Sequence, residues 1–324
     1  MLDDPKCDIC GQFQWETIGR RTYTKDGASN DYEEKRFFVL FEVWLPGKQE
    51  ISLSSLVCRN CGFVCYSPRP EVKDIDAKYR VIREMGSDYG KKESTLIEDR
   101  RAVDCVRKIR KYLRPGSKIL DFGGGDGRLL VPLAGEGHEV FLVDYNVSPR
   151  AGVTKVSDTL PLRKEFRNAF RVIVANQVIE HVAKPTEVIN ELTEYLEEDG
   201  VILIEVPMEI WQDPPLQAEP VTHINFFTAC SLRSCLQAAG LSVISSKYVS
   251  HLNSNGVHSL GVRSVGRKRS SSCGGKIDQG KKGYSEVKGL ISPSLITRFR
   301  KCWWMRVNLR KSLVYKLSKI FRRV

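Results

Sequence analysis

A chain of 324 residues has room for about two domains and a sizeable core. No uninterrupted apolar run approaches the ~18 residues of a membrane-spanning helix, and the opening Met-Leu-Asp-Asp-Pro-Lys lacks the basic-then-apolar order of a secretory signal. A cytoplasmic protein is therefore expected, whose ten cysteines serve as thiols or metal ligands rather than disulfides. The net charge of +12 is uneven: residues 263–324 carry 18 Lys or Arg against Asp278 and Glu286, net +16, which leaves −4 over residues 1–262. The basic pI thus belongs to the tail and gives no ground for a nucleic-acid reading of the whole protein.

Cys7-x-x-Cys10-Gly opens the chain and Cys58-x-x-Cys61-Gly answers it. Two such knuckles let four sulfurs reach one tetrahedral ion at about 2.3 Å, and with no histidine before His138 the ligand set is all cysteine: Cys7, Cys10, Cys58 and Cys61, with Cys65 as a spare. A closed four-thiolate site is structural zinc, not catalytic zinc, since no position is left for water. Between the knuckles Phe37 to Leu45 reads as a strand, Pro46-Gly47-Lys48 as a turn and Ile51 to Val57 as the returning strand. So small a hairpin would draw its stability from the metal.

Tyr66 to Pro70 is an extended link, and Thr95 to Leu113 a helix with a capping box from Thr95 to Glu98. A strand, Lys118 to Phe122, then ends in Asp121-Phe-Gly-Gly-Gly-Asp-Gly-Arg. Glycines at 123, 125 and 127 let a ligand lie against main-chain N–H groups, but neither register fits the dinucleotide fingerprint G-x-G-x-x-G. The pattern D-x-G-x-G-x-G resembles the first motif of class I S-adenosylmethionine (SAM)-dependent methyltransferases, whose ligand is cationic and carries no phosphate. The resemblance implies that Asp121, Gly123, Gly125 and Gly127 contact SAM. It implies further that Asp144, ending the strand Val140 to Val143, accepts the ribose hydroxyls, that Tyr145 packs on the adenine, and that Ser157 or Asp158 meets its amino group.

Asn146 to Gly152 is too short and broken for a helix, so the third strand, Val153 to Val156, follows at once. Phe170 to Ala175 is apolar throughout, as a parallel strand buried on both faces should be, and it brings Asn176 to Val182 to the sheet edge where such sheets bind ligands. A helix from Pro185 stopped by Gly200, a strand Val201 to Val206, a proline-rich lid loop Met208 to Thr222 with Trp211, a helix Ser231 to Ala239 and an antiparallel pair, Leu241 to Val249 and Val257 to Val262, complete the pattern. The two knuckles, Arg69-Pro70, the glycine loop, Ile179-Glu180-His181-Val182 and His223-Ile-Asn-Phe-Phe together resemble small-molecule methyltransferases with an N-terminal four-cysteine zinc module. Many of that group act on sugars or glycan precursors. Where its sugar C-methyltransferases carry Tyr-His-Glu-His, this chain keeps only His223 and lacks their third domain, so O-methylation is expected ahead of C-methylation. His181 and His223 are the candidate bases, with Glu180 as an orienting carboxylate and Asn176 beside the cofactor.

The expected fold is α/β: a doubly wound, seven-stranded Rossmann-like methyltransferase sheet at residues 115–262. Before it stand the zinc module (1–70) and a linker with an N-terminal helix (71–114). A flexible basic linker (263–292) and a basic amphipathic helix (293–324) follow it. With Trp303 and Trp304 on that helix, an anionic membrane surface is the expected partner beside a sugar or lipid-linked glycan acceptor, which places the protein peripherally at the inner face of the membrane; nucleic acid is not expected. The rival of another class is a non-catalytic zinc and nucleic-acid-binding module on a vestigial methyltransferase fold.

Overall fold

The computed structural model describes residues 6–85, 95–145, 148–210, 215, 217–253, 256–269 and 282–291. The expected lid residue Trp211 and the expected helix 293–324 lie outside them.

Strand β1 (Trp15–Thr24) runs antiparallel to β2 (Glu50–Cys58), and β2 to β3 (Val64–Ser67). The expected strand from Phe37 to Leu45 is instead helical. Helix α1 (Asp31–Phe38) continues into a π-helical turn over Val39–Trp44. Asn30 caps it by accepting from the Glu33 N–H at 3.1 Å, and acids occupy the first turn, so the helix is begun before the β-branched run arrives. Val39, Leu40, Phe41 and Trp44 then bury one face against Tyr23, Ile51 and Leu53. The knuckle region is thus a three-stranded meander with a helical insert rather than a bare hairpin. Asn225–Phe226, far along the chain, joins β3 as a fourth strand.

Helix α2 (Val72–Glu84) fills what reads as linker, and α3 (Thr95–Ile109) leads to the large sheet. That sheet holds β4 (Lys118–Phe122), β5 (Glu139–Val143), β6 (Val153–Ser157), β7 (Phe170–Asn176) and β8 (Leu196–Pro207), all parallel to one another. With β9 for Asn225–Phe226, the remaining strands are β10 (Ser242–Leu252) and β11 (His258–Arg267), antiparallel to each other, β11 pairing with β8. The order β10-β11-β8-β7-β4-β5-β6 reverses at β4, whose C-terminal end is therefore the crevice where open α/β sheets bind ligands.

The glycine loop after β4 opens only a short helix, α4 (Val131–Gly135); α5 (Pro185–Tyr195) and α6 (Ala229–Ala238) cover the sheet further on. Gly200 does not stop α5, which ends at Tyr195. It lies inside β8, where a Cβ would sit 2.8 Å from the Glu197 carbonyl oxygen and 3.0 Å from that of Phe170. Nor are residues 263–292 wholly linker: β11 runs to Arg267, and α7 (Lys282–Ile291) docks on the knuckle sheet. Lys288 and Tyr284 both bond Glu16, while Glu286 takes the Tyr248 hydroxyl at 2.7 Å. No helix among the described residues is long and apolar enough to cross a membrane.

Candidate active site

A cavity of about 650 Å³ opens over the C-terminal ends of β4 and β5. Gly123, Gly125, Asp144, Tyr145, Asp158 and His181 line it, whereas Asp121 and Gly127, also expected at the cofactor, do not. Gly123, Gly125 and Gly127 all have positive φ (68°, 65° and 80°), which an L side chain seldom adopts. Nothing lies within 4 Å of where a Gly125 Cβ would be, and its N–H donates to Asp144 Oδ2 at 2.8 Å. A Cβ on Gly123 would meet Val178 at 2.5 Å, and one on Gly127 Val153 at 2.8 Å. The tightest place is the glycine between them: a Cβ on Gly124 would lie 2.1 Å from the carboxylate of Asp121.

Asp121 is buried, and its Oδ2 has no hydrogen-bond partner among the described residues. Burial, then the charges of Asp144 and Asp126, pushes its carboxyl up to about 7. The loop is held from outside by ions: Asp126 bonds Arg128 and Arg150, and Arg128 reaches Glu98 of α3.

Helix α2 supplies a further part of the cavity wall through Ile75, Asp76, Tyr79 and Ile82. Tyr79 stacks on Tyr145 with ring centroids 5.1 Å apart, and the Tyr145 hydroxyl donates to Asp76 at 3.4 Å. Asp158 pairs with Lys155 at 2.5 Å. Asn176 is not on this cavity. It faces a smaller one, of about 240 Å³, with Lys108, Glu205 and His251, while its neighbour Gln177 borders both. The α2 wall and Gln177 are the residues sequence reasoning missed. Ile75, Tyr79 and Ile82 at helical spacing were the available signal for α2.

Glu180 and His181 sit in a 3₁₀ turn, Ile179–His181, directly after β7. Asn225 of β9 fixes this turn, its amide donating to the carbonyls of Ile179 at 2.9 Å and Val182 at 2.7 Å. Arg69, buried beside β3, holds Asn225 Oδ1 and the Ala183 carbonyl, each at 2.6 Å. The separate motifs around Arg69, Glu180 and His223 therefore converge.

The rings of His181 and His223 are 4.9 Å apart. His181 Nδ1 donates to the Thr222 carbonyl at 2.7 Å, leaving Nε2 as the lone-pair nitrogen, 3.7 Å from Glu180. Burial, then His223 and Lys78, holds His181 well below the usual imidazole value, so it is neutral. His223 is raised despite burial, because Glu209 accepts from its Nδ1 with both oxygens at 2.9 and 3.0 Å. Burial pushes Glu180 up to about 8. Glu209 has no motif around it, and only this contact reveals its role.

At the knuckles the Sγ atoms of Cys7 and Cys61 are 3.6 Å apart and those of Cys10 and Cys58 3.5 Å, with all four within 4.8 Å of one another. Four thiolates about 2.3 Å from one zinc are separated by slightly more than the paired distances, so the cluster fits that ion.

A sheet of this order, with a glycine loop leaving β4, an acid closing β5 and a cavity over both, defines the class I SAM-dependent methyltransferase fold. Residues 96–246 match the family profile described as "Methyltransferase domain". Over 257 residues it is 24% identical to the C-methyltransferase NovU of Streptomyces niveus, an alignment covering 74% of this chain and 56% of that relative. The chain thus spans little more than half the length of the curated relative it matches. Among solved structures, the Burkholderia thailandensis 1,6-didemethyltoxoflavin-N1-methyltransferase, bound to its toxoflavin precursor and S-adenosylhomocysteine, is 19% identical (TM-score 0.47; 66% of this chain and 96% of that one). Coclaurine N-methyltransferase, bound to N-methylheliamine and S-adenosylhomocysteine, is 14% identical (TM-score 0.43; 56% and 76%).

Proposed function

We propose that the chain transfers a methyl group from SAM to a small-molecule acceptor, most simply a hydroxyl of a sugar, glycan precursor or lipid-linked glycan. One observation carries this reading. An open glycine, Gly125, and the strand-end acid Asp144 line one cavity, and the orphaned acid Asp121 is buried against Gly124 just behind that lining, which supports a ligand with a ribose diol and an ammonium group rather than a phosphate. Bound there, SAM supplies a methyl on a sulfonium, whose C–S electrons return to sulfur as the acceptor's lone pair forms the new bond.

The chain's own part is alignment and charge. Asp121 pairs with the ammonium, Gly125 lets the ligand touch backbone, Asp144 takes the ribose hydroxyls, Tyr145 flanks the adenine and Asp158 lies at that end. The acceptor proton leaves toward the Glu180–His181–His223 cluster, where His181 faces the cavity. Cys7, Cys10, Cys58 and Cys61 hold a structural Zn²⁺ that stabilises the knuckle sheet.

Calorimetry with SAM tests the donor site: Asp144→Ala weakens binding at least tenfold, and unchanged affinity would sink the assignment. Mass spectrometry of products from a panel of nucleotide sugars tests the acceptor. A carbon acceptor is the second reading, favoured by the name of the Streptomyces relative; the same products separate the two by the position of the new methyl group. The basic stretch 293–324, with Trp303 and Trp304, supports a lipid-linked acceptor. Flotation of the whole chain with anionic but not neutral vesicles checks it.

A further inference from the structure

We propose that Glu180, His181 and His223 form a second metal site, holding one first-row divalent cation at the wall of the main cavity. A ligand atom from each residue lies within 4.8 Å of the others, so small side-chain shifts would close them on one ion. Two imidazoles and a carboxylate are the donor set that suits Mn²⁺, Fe²⁺ or Zn²⁺ and leaves coordination positions open.

Three further observations point the same way. Glu180 is 1% exposed, yet neither carboxylate oxygen has a hydrogen-bond partner among the other described residues. A buried carboxylate with no donor calls for a cation. Each histidine already has its outer nitrogen fixed by an acceptor, His181 by the Thr222 carbonyl and His223 by Glu209. That is the outer arrangement of metal-bound imidazoles, in which the second N–H is tied to a carbonyl or carboxylate so that the other nitrogen points at the ion. The local charge also permits it. Glu180, Glu209 and Glu219 lie about the cluster, facing the buried cation Lys78, whose Nζ donates to the Val221 carbonyl at 3.3 Å, while buried Arg69 is occupied by Asn225 and the Ala183 carbonyl.

Because His181 lines the cavity, the cation's open positions face the space left for the acceptor. This purpose rests on the methyl-transfer reading; the metal site itself does not. A cation there would hold an acceptor oxygen beside the methyl donor and favour its deprotonated form.

The test counts metal on the full chain. After incubation with Mn²⁺ and desalting, elemental mass spectrometry sums zinc and manganese. Two ions per chain are expected for the native protein, and one for Glu180→Gln and His223→Asn. Electron paramagnetic resonance of free Mn²⁺ reads affinity, which falls tenfold or more in those variants and about tenfold in Glu209→Gln, which removes only the outer acceptor's charge. One ion in the native protein, or two retained in Glu180→Gln, overturns the proposal. SAM affinity is measured on the same samples: binding with a metal count of one removes the cation and spares the methyl-transfer reading, whereas two ions without SAM binding does the reverse.

Discussion

Gly124 has less room for a side chain than the other glycines of its loop. Its backbone is ordinary, but the carboxylate of Asp121 occupies the place of a Cβ, so Gly124→Ala must push the acid off its position. SAM affinity should fall more than tenfold in that variant. Gly125→Ala, with open space but a φ of +65°, should lose only the roughly 1–2 kcal/mol of left-handed strain. Calorimetry on the pair separates crowding from strain. Asp121 also sets a pH dependence. Its folded value, about 7, lies above the ordinary 3.8, so the folded protein holds a proton that must leave before an ammonium can pair. SAM affinity should therefore fall as pH drops below about 7, approaching tenfold per unit, and Asp121→Asn should flatten that slope. Without ligand the linkage has the opposite sense: this group's contribution to stability is full below pH 3.8 and is lost as pH rises through 7. The three alternate glycines and the acids at 121 and 144 were legible because loop chemistry is local. Gly124, Glu209 and Gln177 were not, because each acts through a neighbour that only folding supplies.

Among the elements, α2 decides how the cavity closes. Its Tyr79 props Tyr145 by stacking, a contact worth about 0.5–1.5 kcal/mol. Tyr79→Ala should weaken SAM binding roughly two- to tenfold while leaving the fold intact, as calorimetry and circular dichroism would show. Asn225→Ala should instead free the 3₁₀ turn that carries Glu180 and His181 and orphan two carbonyls. Turnover should drop about tenfold or more with SAM affinity nearly unchanged. The central parallel strand β7 was readable from its length and apolar run, since it is buried on both faces. The stretch Phe37 to Leu45 misled because Val39 and Val43 favour a strand locally, while the cap at Asn30 and burial against β1 and β2 outweigh that preference. Helix α2 was not legible because its apolar positions are few, and the cluster that Ile75 and Ile82 join with Trp44 and Val221 is assembled only on folding.

At the scale of the whole molecule, the knuckle sheet and the methyltransferase sheet share one core. Phe63, Tyr66 and Phe226 pack into the same cluster as Ile173 and Ile204. Chelating the proposed zinc should therefore lower the melting temperature of the entire chain rather than release a separate transition, which calorimetry with and without chelator would show. The boundary near residue 70 was invisible as a packing interface because β9, which bridges it, comes from more than a hundred residues away.

The second knuckle also touches the end of the described chain. The backbone of Gly62 lies so close to Gly283 in α7 that a Cβ on either would overlap the other strand of backbone, at 2.2 Å from Gly62 and 2.1 Å from Gly283. Two events that favour each other must do so by the same factor in both directions. If an ion at Cys58 and Cys61 tightens α7, then α7 tightens the ion, and a pull on the chain beyond Ile291 by any outside surface would register as a change in how readily the cysteines give up their metal.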